Sequence, residues 1–139
     1  AETAAEAGRG SRAQERADVA RRRDQFWDRL RATIPDPVLN GPTHEPRLPN
    51  TLNVSFGGCA GESLLVLLDL AGIAVSLGSA CAAGAAAPSH VLVAMGRDAD
   101  AARNGIRFSL GPTTTDTDIE QAAHAVAQAV AAVRRRAAA

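Results

Sequence analysis

Hydrophobic positions in the first quarter of the chain follow the spacing of an amphipathic helix. From Arg12 onward, apolar side chains recur at near-helical intervals between Arg and Asp residues. These apolar residues are Val19, Phe26, Leu30 and Ile34. Pro35 is expected to end the helix, because proline disfavours helical backbone in the residue before it. Residues 1–10 contain two glycines and predict a flexible start to the chain.

The middle of the chain predicts short strands separated by turns. Val38–Leu39 and residues 51–56 (TLNVSF) have the β-prone composition of strands. A leucine-rich helix is predicted from Gly61 to Leu70, with Gly72 just past its end. Three shorter elements are also predicted: a buried strand at residues 73–76, a helix at 90–95 capped by Ser89, and a strand at 106–110.

The last segment predicts a capped helix with one apolar stripe. Thr115 and Asp118 have the spacing of a capping box. The stripe behind them consists of Ile119, Ala122, Ala123, Val126, Ala129, Val130 and Val133. Arg134–Arg136 follow in the last turn, where cations suit the helix dipole. The alternation of strands and helices predicts an α/β domain, an α+β two-layer sandwich with a small sheet packed with helices and a long N-terminal helix.

Composition and charge narrow the classes of function. The 139 residues suit one domain, and fifteen basic residues balance fifteen acidic ones, which argues against a nucleic-acid binder. Every basic residue is Arg and the chain has no Lys. The absence of a signal-peptide pattern and of a bilayer-length apolar run predicts a cytoplasmic protein with no membrane partner. Cys59 and Cys81 lack zinc-ligand spacing, so no metal site is expected.

Two ordered sets of motifs are far more specific than this composition. The first is RLPNTLNVSF at residues 47–56, followed by GESLL at 61–65. The second contains GSAC at 78–81, PSHVL at 88–92 and IRFSLG at 106–111. In order and spacing, the chain from about Arg21 to Arg136 resembles the C-terminal small domain of cysteine desulfurases, which are relatives of class V aminotransferases. This resemblance assigns residues 11–139 to that small domain.

The resemblance implies a sulfur-carrying cysteine and a carboxylate-binding arginine. Cys81 matches the catalytic cysteine that takes sulfur from a cysteine bound to pyridoxal phosphate and carries it as a persulfide. The acceptor is then a partner such as an iron–sulfur scaffold protein, for iron–sulfur cluster or thio-cofactor synthesis. Arg107 matches the arginine that holds the substrate carboxylate, and its planar fork suits that task. Residues 78–87 contain nine Gly, Ala or Ser residues and predict a mobile loop around Cys81.

Other candidate residues receive structural interpretations. Cys59 is expected to be a structural bystander, because the family does not call for cysteine between this strand and helix. Asn53 is interpreted as structural, and His90 as a capping or surface residue. The chain departs from the family pattern at Leu77, Ala87 and Pro112, which bears on affinity for partners rather than on the fold.

The resemblance also implies that this chain is incomplete as an enzyme. The family's large domain supplies the lysine that binds pyridoxal phosphate, and this chain carries neither that domain's motifs nor any Lys. The chain alone is therefore expected to bind no cofactor, and its expected partners are a large domain or chain, a sulfur acceptor and a second copy, as in family homodimers. Two other hypotheses stay open: a non-catalytic binding module that keeps the fold, and a class V relative acting on another amino acid.

Overall fold

The computed structural model describes residues 4–42, 47–77, 90–96 and 98–139 of the chain. They contain five helices: α1 (Ala4–Thr33), α2 (Gly61–Leu70), α3 (His90–Ala94), α4 (Ala99–Asn104) and α5 (Asp116–Ala138). The strands are β1 (Pro37–Leu39), β2 (Thr51–Phe56), β3 (Ser76–Leu77) and β4 (Ile106–Ser109). The four strands form one antiparallel sheet in the order β1-β2-β4-β3. This arrangement confirms the predicted two-layer α/β domain with a long N-terminal helix.

One face of the sheet carries the hydrophobic core. Alternate residues of β2 and β4 point into it, and α1, α2 and α5 pack over them. The fully buried side chains are Phe26, Leu30, Leu52, Val54, Leu64, Leu68, Ile106, Val126 and Val130. Phe26 of α1 meets Phe108 of β4 edge to face, with ring centroids 4.9 Å apart. A few aromatic rings therefore reinforce a core built largely from aliphatic side chains.

The N-terminal helix begins earlier than its apolar pattern does. α1 includes Gly8 and Gly10, where the sequence had predicted a flexible start. The surrounding Ala, Glu and Arg residues have high helix propensity, which outweighs the cost of two glycines. At the other end the helix stops at Thr33, before Pro35 as predicted.

The strand predicted at residues 73–76 is shorter and later in the structure, at Ser76–Leu77. The reason lies at the end of α2, where Gly72 adopts a φ of +82° and the Ile73 N–H donates to the Leu68 carbonyl oxygen at 2.8 Å. Residue 73 thus closes the helix, and pairing with β4 begins at Ser76.

The helix α4 was not predicted from the sequence. Its N-cap is Asp98, whose carboxylate accepts a hydrogen bond from the Ala101 N–H at 2.8 Å. The side chain of its last residue, Asn104, accepts a hydrogen bond from the Gly61 N–H at 2.9 Å. This bond gives a partner to one of the backbone N–H groups that the first turn of α2 would otherwise leave unpaired. Ala102 is its fully buried side chain, a signal too weak to mark a helix in the sequence.

The capping box predicted for α5 is confirmed. The Thr115 hydroxyl accepts from the Asp118 N–H at 3.1 Å, and the Asp118 carboxylate accepts from the Thr115 N–H at 2.8 Å. These hydrogen bonds lower the pKa of Asp118 below its usual value, the bond to the backbone contributing most. No helix in the described ranges is both long enough and apolar enough to span a bilayer.

Candidate functional site on the open face of the sheet

The second face of the sheet presents polar side chains. Arg107 lies in the central strand β4, with Asn53 of β2 opposite it on one side and Ser76 of β3 on the other. Because side chains alternate along strands, these three residues form one row on the face that points away from α1, α2 and α5. Ile106 and Phe108, which flank Arg107 in β4, are buried on the opposite face of the sheet.

Arg107 is exposed and has no fixed partner in the part of the chain that the structure describes. Within these ranges its guanidinium makes no hydrogen bond and no ion pair. Most other described arginines on α1 and α5 differ, for example Arg22 with Asp116 at 3.2 Å and Arg134 with two backbone carbonyls at 3.0 Å. The predicted carboxylate-binding residue therefore has five N–H donors available to a ligand.

A network of hydrogen bonds covers the neighbouring part of this face. The Asn40 side chain donates from Nδ2 to Asn53 Oδ1 at 3.0 Å and to Ser55 Oγ at 2.8 Å. The Ser55 hydroxyl in turn donates to the Ala101 carbonyl oxygen of α4 at 2.9 Å. Asn40 Oδ1 is buried and has no hydrogen-bond partner among the described residues, an arrangement that costs about 1–3 kcal/mol.

These network residues were not recognised from the sequence as parts of a site. The sequence alone supports a structural interpretation of Asn53 and assigns no role to Asn40 or Ser55. A sequence signal was present, because Asn40 follows the apolar pair Val38–Leu39 directly and Asn53 and Ser55 alternate with apolar residues in β2. Polar residues in such positions lie on one face of a strand. The hydrogen bonds between them can be predicted only when the register of the three strands is known.

Helices α3 and α4 lie on this same side of the sheet. A Cβ built on Gly105 would approach both Asn53 Oδ1 and Leu92 Cδ1 at 2.8 Å, which places Leu92 of α3 against the polar network. Around the buried Leu92, Val91 and Val93 of α3 and Met95 just after it are exposed, each about half accessible. Val38, which pairs with Ser55 across β1 and β2, adds an exposed apolar side chain on this face.

Cys59 lies away from this row, in the hydrophobic core. Its side chain is 3% exposed, and its thiol donates to the Val130 carbonyl oxygen at 3.9 Å. Burial raises the pKa of the Cys59 thiol, and the nearby Arg134 offsets part of this rise. A buried thiol with a raised pKa is a poor nucleophile, which agrees with the interpretation of Cys59 as structural.

Four sequence predictions lie outside what the structure describes. Cys81, its predicted mobile loop and the Ser89 cap fall within residues 78–89, and the side chain of His90 is likewise outside the described part. Among the described residues, no group of three or more His, Cys, Asp or Glu side chains could hold a metal ion. A cleft of about 330 Å³ between residues 71–74, 108–110 and α5 is mostly apolar and does not include Arg107.

Comparisons with known proteins identify the family. Residues 8–122 match the family model described as aminotransferase class-V. The chain is 47% identical over 115 residues to an IscS-like cysteine desulfurase of Mycobacterium tuberculosis and 43% identical over 118 residues to a cysteine desulfurase of Enterobacter agglomerans. These alignments cover 83% and 85% of this chain and 29% of each relative.

Solved structures agree with this assignment. A NifS-like protein superposes with a TM-score of 0.69 at 28% identity, over 84% of this chain and 28% of that one. A NifS-like protein from Rickettsia africae gives a TM-score of 0.68 at 26% identity, over 82% of this chain and 28% of that one. The chain thus spans less than a third of the relatives that it matches, and it belongs to the aminotransferase class-V family.

Proposed function

We propose that this chain is the sulfur-transfer small domain of a cysteine desulfurase. In this proposal Arg107 binds the carboxylate of a cysteine substrate, and Cys81 takes the substrate sulfur and passes it to an acceptor. The observation that carries the proposal is the position of Arg107, exposed and without a partner among described residues, beside the strand that leads toward Cys81. The cysteine desulfurases among its relatives support the choice of substrate.

The connection between β3 and Cys81 supports a shared site. Ser76 pairs directly with Arg107, and Cys81 follows Leu77, the last residue of β3, by four positions in the sequence. A chain of four residues spans at most about 14 Å. This upper bound on the distance from Leu77 is compatible with a shared site for Cys81 and Arg107.

The proposed transfer uses thiolate chemistry. The Cys81 thiolate attacks the sulfur of the substrate cysteine and forms an S–S bond, while the carbon–sulfur bond of the substrate breaks and its carbon takes a proton, leaving alanine. The outer sulfur of the resulting persulfide is then attacked by a thiolate of the acceptor, and Cys81 leaves as a thiolate. Iron–sulfur scaffold proteins and thio-cofactor pathways are the acceptor classes that we propose.

The cofactor of this pyridoxal-phosphate-dependent family does not fit the residues of this chain. Attachment of an aldehyde cofactor as an imine needs a primary amine side chain. The open face, which is the face of the sheet that carries Asn53, Arg107 and Ser76, offers a guanidinium, amides and hydroxyls. The sequence contains no Lys. We therefore propose that a separate large domain holds the cofactor and that this chain contributes substrate binding and sulfur transfer.

The apolar side chains exposed beside the site support this partner. Val91 and Val93 of α3, Met95 just after it and Val38 of β1 are exposed on the side of the sheet that carries Asn53 and Ser55. Large apolar side chains grouped on one face are typical of interaction surfaces. A large domain docked there would cover them and close the site around Arg107.

The sulfur-carrier role of Cys81 is tested with the chain alone. The chain is treated with a low-molecular-weight persulfide and analysed by peptide mass spectrometry. We expect one added sulfur at Cys81, none in the Cys81→Ser variant, and an unchanged result in the Cys59→Ser control. Labelling of Cys59 but not Cys81 would contradict the proposal and favour a binding module without sulfur transfer.

The substrate-binding role of Arg107 is tested with a separately expressed large domain of a desulfurase. We expect the mixture to release sulfide from cysteine, and Arg107→Gln to raise the KM for cysteine roughly tenfold or more, because a charge-assisted bidentate contact is lost. Arg136→Gln, at the exposed end of α5, is the matched control and should leave KM unchanged. Equal KM values for all three proteins would remove Arg107 from the site.

A further inference from the structure

We infer that Asn53 is a second ligand for the carboxylate that Arg107 binds, and that Asn40 holds the Asn53 amide in the orientation this requires. The inference rests on the proposed function for the identity of the ligand as an amino-acid carboxylate. The contacts that support it all lie within the described residues of β2, β4, α4 and the turn after β1.

The register places Asn53 and Arg107 in the closer of the two kinds of pair that alternate along antiparallel strands. The Asn40 N–H donates to the Asn53 carbonyl oxygen at 2.8 Å, so the peptide groups of Asn53 face β1. The N–H and C=O of one strand residue point the same way, and Asn53 therefore makes no ladder bond with Arg107. In such a non-hydrogen-bonded pair the Cα atoms are about 4.5 Å apart and the side chains approach most closely.

The hydrogen-bond network fixes which end of the Asn53 amide is free. Ser55 uses its single hydroxyl hydrogen on the Ala101 carbonyl oxygen, so it must accept from Asn40. Asn40 consequently presents Nδ2 to both neighbours, and its second hydrogen bond ties down Asn53 Oδ1. The Asn53 amide nitrogen is left with two donors and no partner among the described residues.

The cost of this arrangement argues that the orientation has a use. Asn40 is 8% exposed, and its Oδ1 is the buried acceptor without a partner among the described residues. A buried acceptor in this state destabilises the fold and calls for an explanation. The Asn40 amide nitrogen donates to Asn53 Oδ1 and so turns the Asn53 amide nitrogen away from Asn40. We infer that the unpaired Asn40 Oδ1 is tolerated because this orientation leaves the Asn53 N–H groups available beside Arg107.

Glycine at position 105 completes the arrangement. A Cβ at this position would lie 2.8 Å from Asn53 Oδ1 and 3.4 Å from Asn40 Nδ2. Any larger residue would push the Asn53 amide away from Asn40. A guanidinium and an amide with N–H groups that have no partner among the described residues then supply neighbouring donors for the two oxygens of a carboxylate.

The test uses the isotope-labelled chain and sodium acetate as a carboxylate probe, at ionic strength kept constant with sodium chloride. We expect the Asn53 side-chain amide and the Arg107 Nε–H signals in nitrogen-15 NMR spectra to shift together with one Kd. Asn53→Asp should raise this Kd roughly tenfold or more, because a carboxylate replaces the donor. Asn50→Asp adds the same charge at the exposed start of β2 and should change it far less.

Gly105→Ala tests the positioning role while every polar group remains in place. We expect it to weaken acetate binding several-fold and to shift the Asn53 amide signals before any acetate is added. Unchanged Kd values in Asn53→Asp and Gly105→Ala would overturn the inference, while a loss of binding in Arg107→Gln would still support the proposed function. Absence of acetate shifts at both residues in the unaltered chain would overturn the inference outright, and labelling of Cys81 by a persulfide would still test the proposed function separately.

Discussion

Ile106 and Arg107 are neighbours in β4, yet they lie in opposite environments. Ile106 is fully buried under the helices α1, α2 and α5, while Arg107 is exposed on the other face beside polar residues. On the helical side the inward-facing residues of the two central strands, such as Leu52, Val54, Ile106 and Phe108, are buried in the core. On the open side Arg107 and the Asn53 amide nitrogen have no partner among the described residues, and the network around Asn40 leaves an acceptor unpaired there. The comparison separates a face of packed apolar side chains from a face on which we propose that Arg107 binds a ligand.

The largest expected effect is on the helical face. Ile106→Ala should lower the free energy of unfolding by about 2–5 kcal/mol, because it leaves a cavity at a fully buried position. Arg107→Ala, one residue away, should change it by no more than about 0.5 kcal/mol, as is usual for exposed side chains. Urea unfolding of both variants followed by circular dichroism measures the two changes. A large loss of stability in Arg107→Ala would mean that Arg107 is part of the packing rather than a binding residue.

An intermediate effect is expected within the open face. Asn40→Ala should cost at most about 1–3 kcal/mol in unfolding free energy, because Asn53 Oδ1 and Ser55 Oγ lose their shared donor while the unpaired Asn40 Oδ1 is removed as well. Asn50→Ala is the matched control, since Asn50 is exposed and its side chain accepts one long hydrogen bond, from Thr51 at 3.3 Å. Thermal unfolding of the two variants gives the difference. An Asn40→Ala variant as stable as the control would show that the network contributes orientation without net stability.

The sequence predicts the helical face better than the open one, for a physical reason. β2 and α2 have the predicted bounds and α5 has its predicted cap, because periodic apolar residues and the Thr115–Asp118 spacing are local signals. The strand at residues 73–76 was placed too early, since the hydrogen bond from Ile73 to Leu68 is a property of the helix end rather than of apolar composition.

The candidate site could be predicted only in part. A family motif indicated Arg107, and the structure places it on the open face. The roles of Asn40 and Ser55 depend on hydrogen bonds between residues far apart in sequence. Asn40 contacts Asn53, 13 residues away, and Ser55, 15 residues away. A single sequence contains no record of such pairing, because the register of β1, β2 and β4 is set by packing on the opposite face.

The smallest expected effect is a pH dependence of the helical layer. Asp118 has a lowered pKa in the folded chain, so the folded state holds the carboxylate ionised at pH values where the unfolded chain, with a pKa of about 3.9, is protonated. The stability due to this charge is therefore present above about pH 4 and is lost as the pH falls through the folded pKa. Asp118→Asn keeps a neutral acceptor for the Thr115 N–H and removes the charge. Melting temperatures measured from pH 7 to pH 3 should show the unaltered chain above Asp118→Asn at pH 7, with the gap closing in acid.

The control for this experiment lies two residues further along α5. Glu120→Gln removes an exposed charge that has no hydrogen bond or ion pair within the described part of the chain, and its gap to the unaltered chain should be smaller at pH 7. A constant gap for Asp118→Asn between pH 7 and pH 3 would show that the capping box acts through its geometry alone.

Acetate binding at Arg107 tests whether the two faces of the sheet are independent. The Thr115–Asp118 cap belongs to α5, which packs on one face of the sheet, whereas Arg107 lies on the opposite face. Asp118→Asn should leave the acetate Kd unchanged at pH 7, and a shift in it would mean that the two faces are coupled through β4.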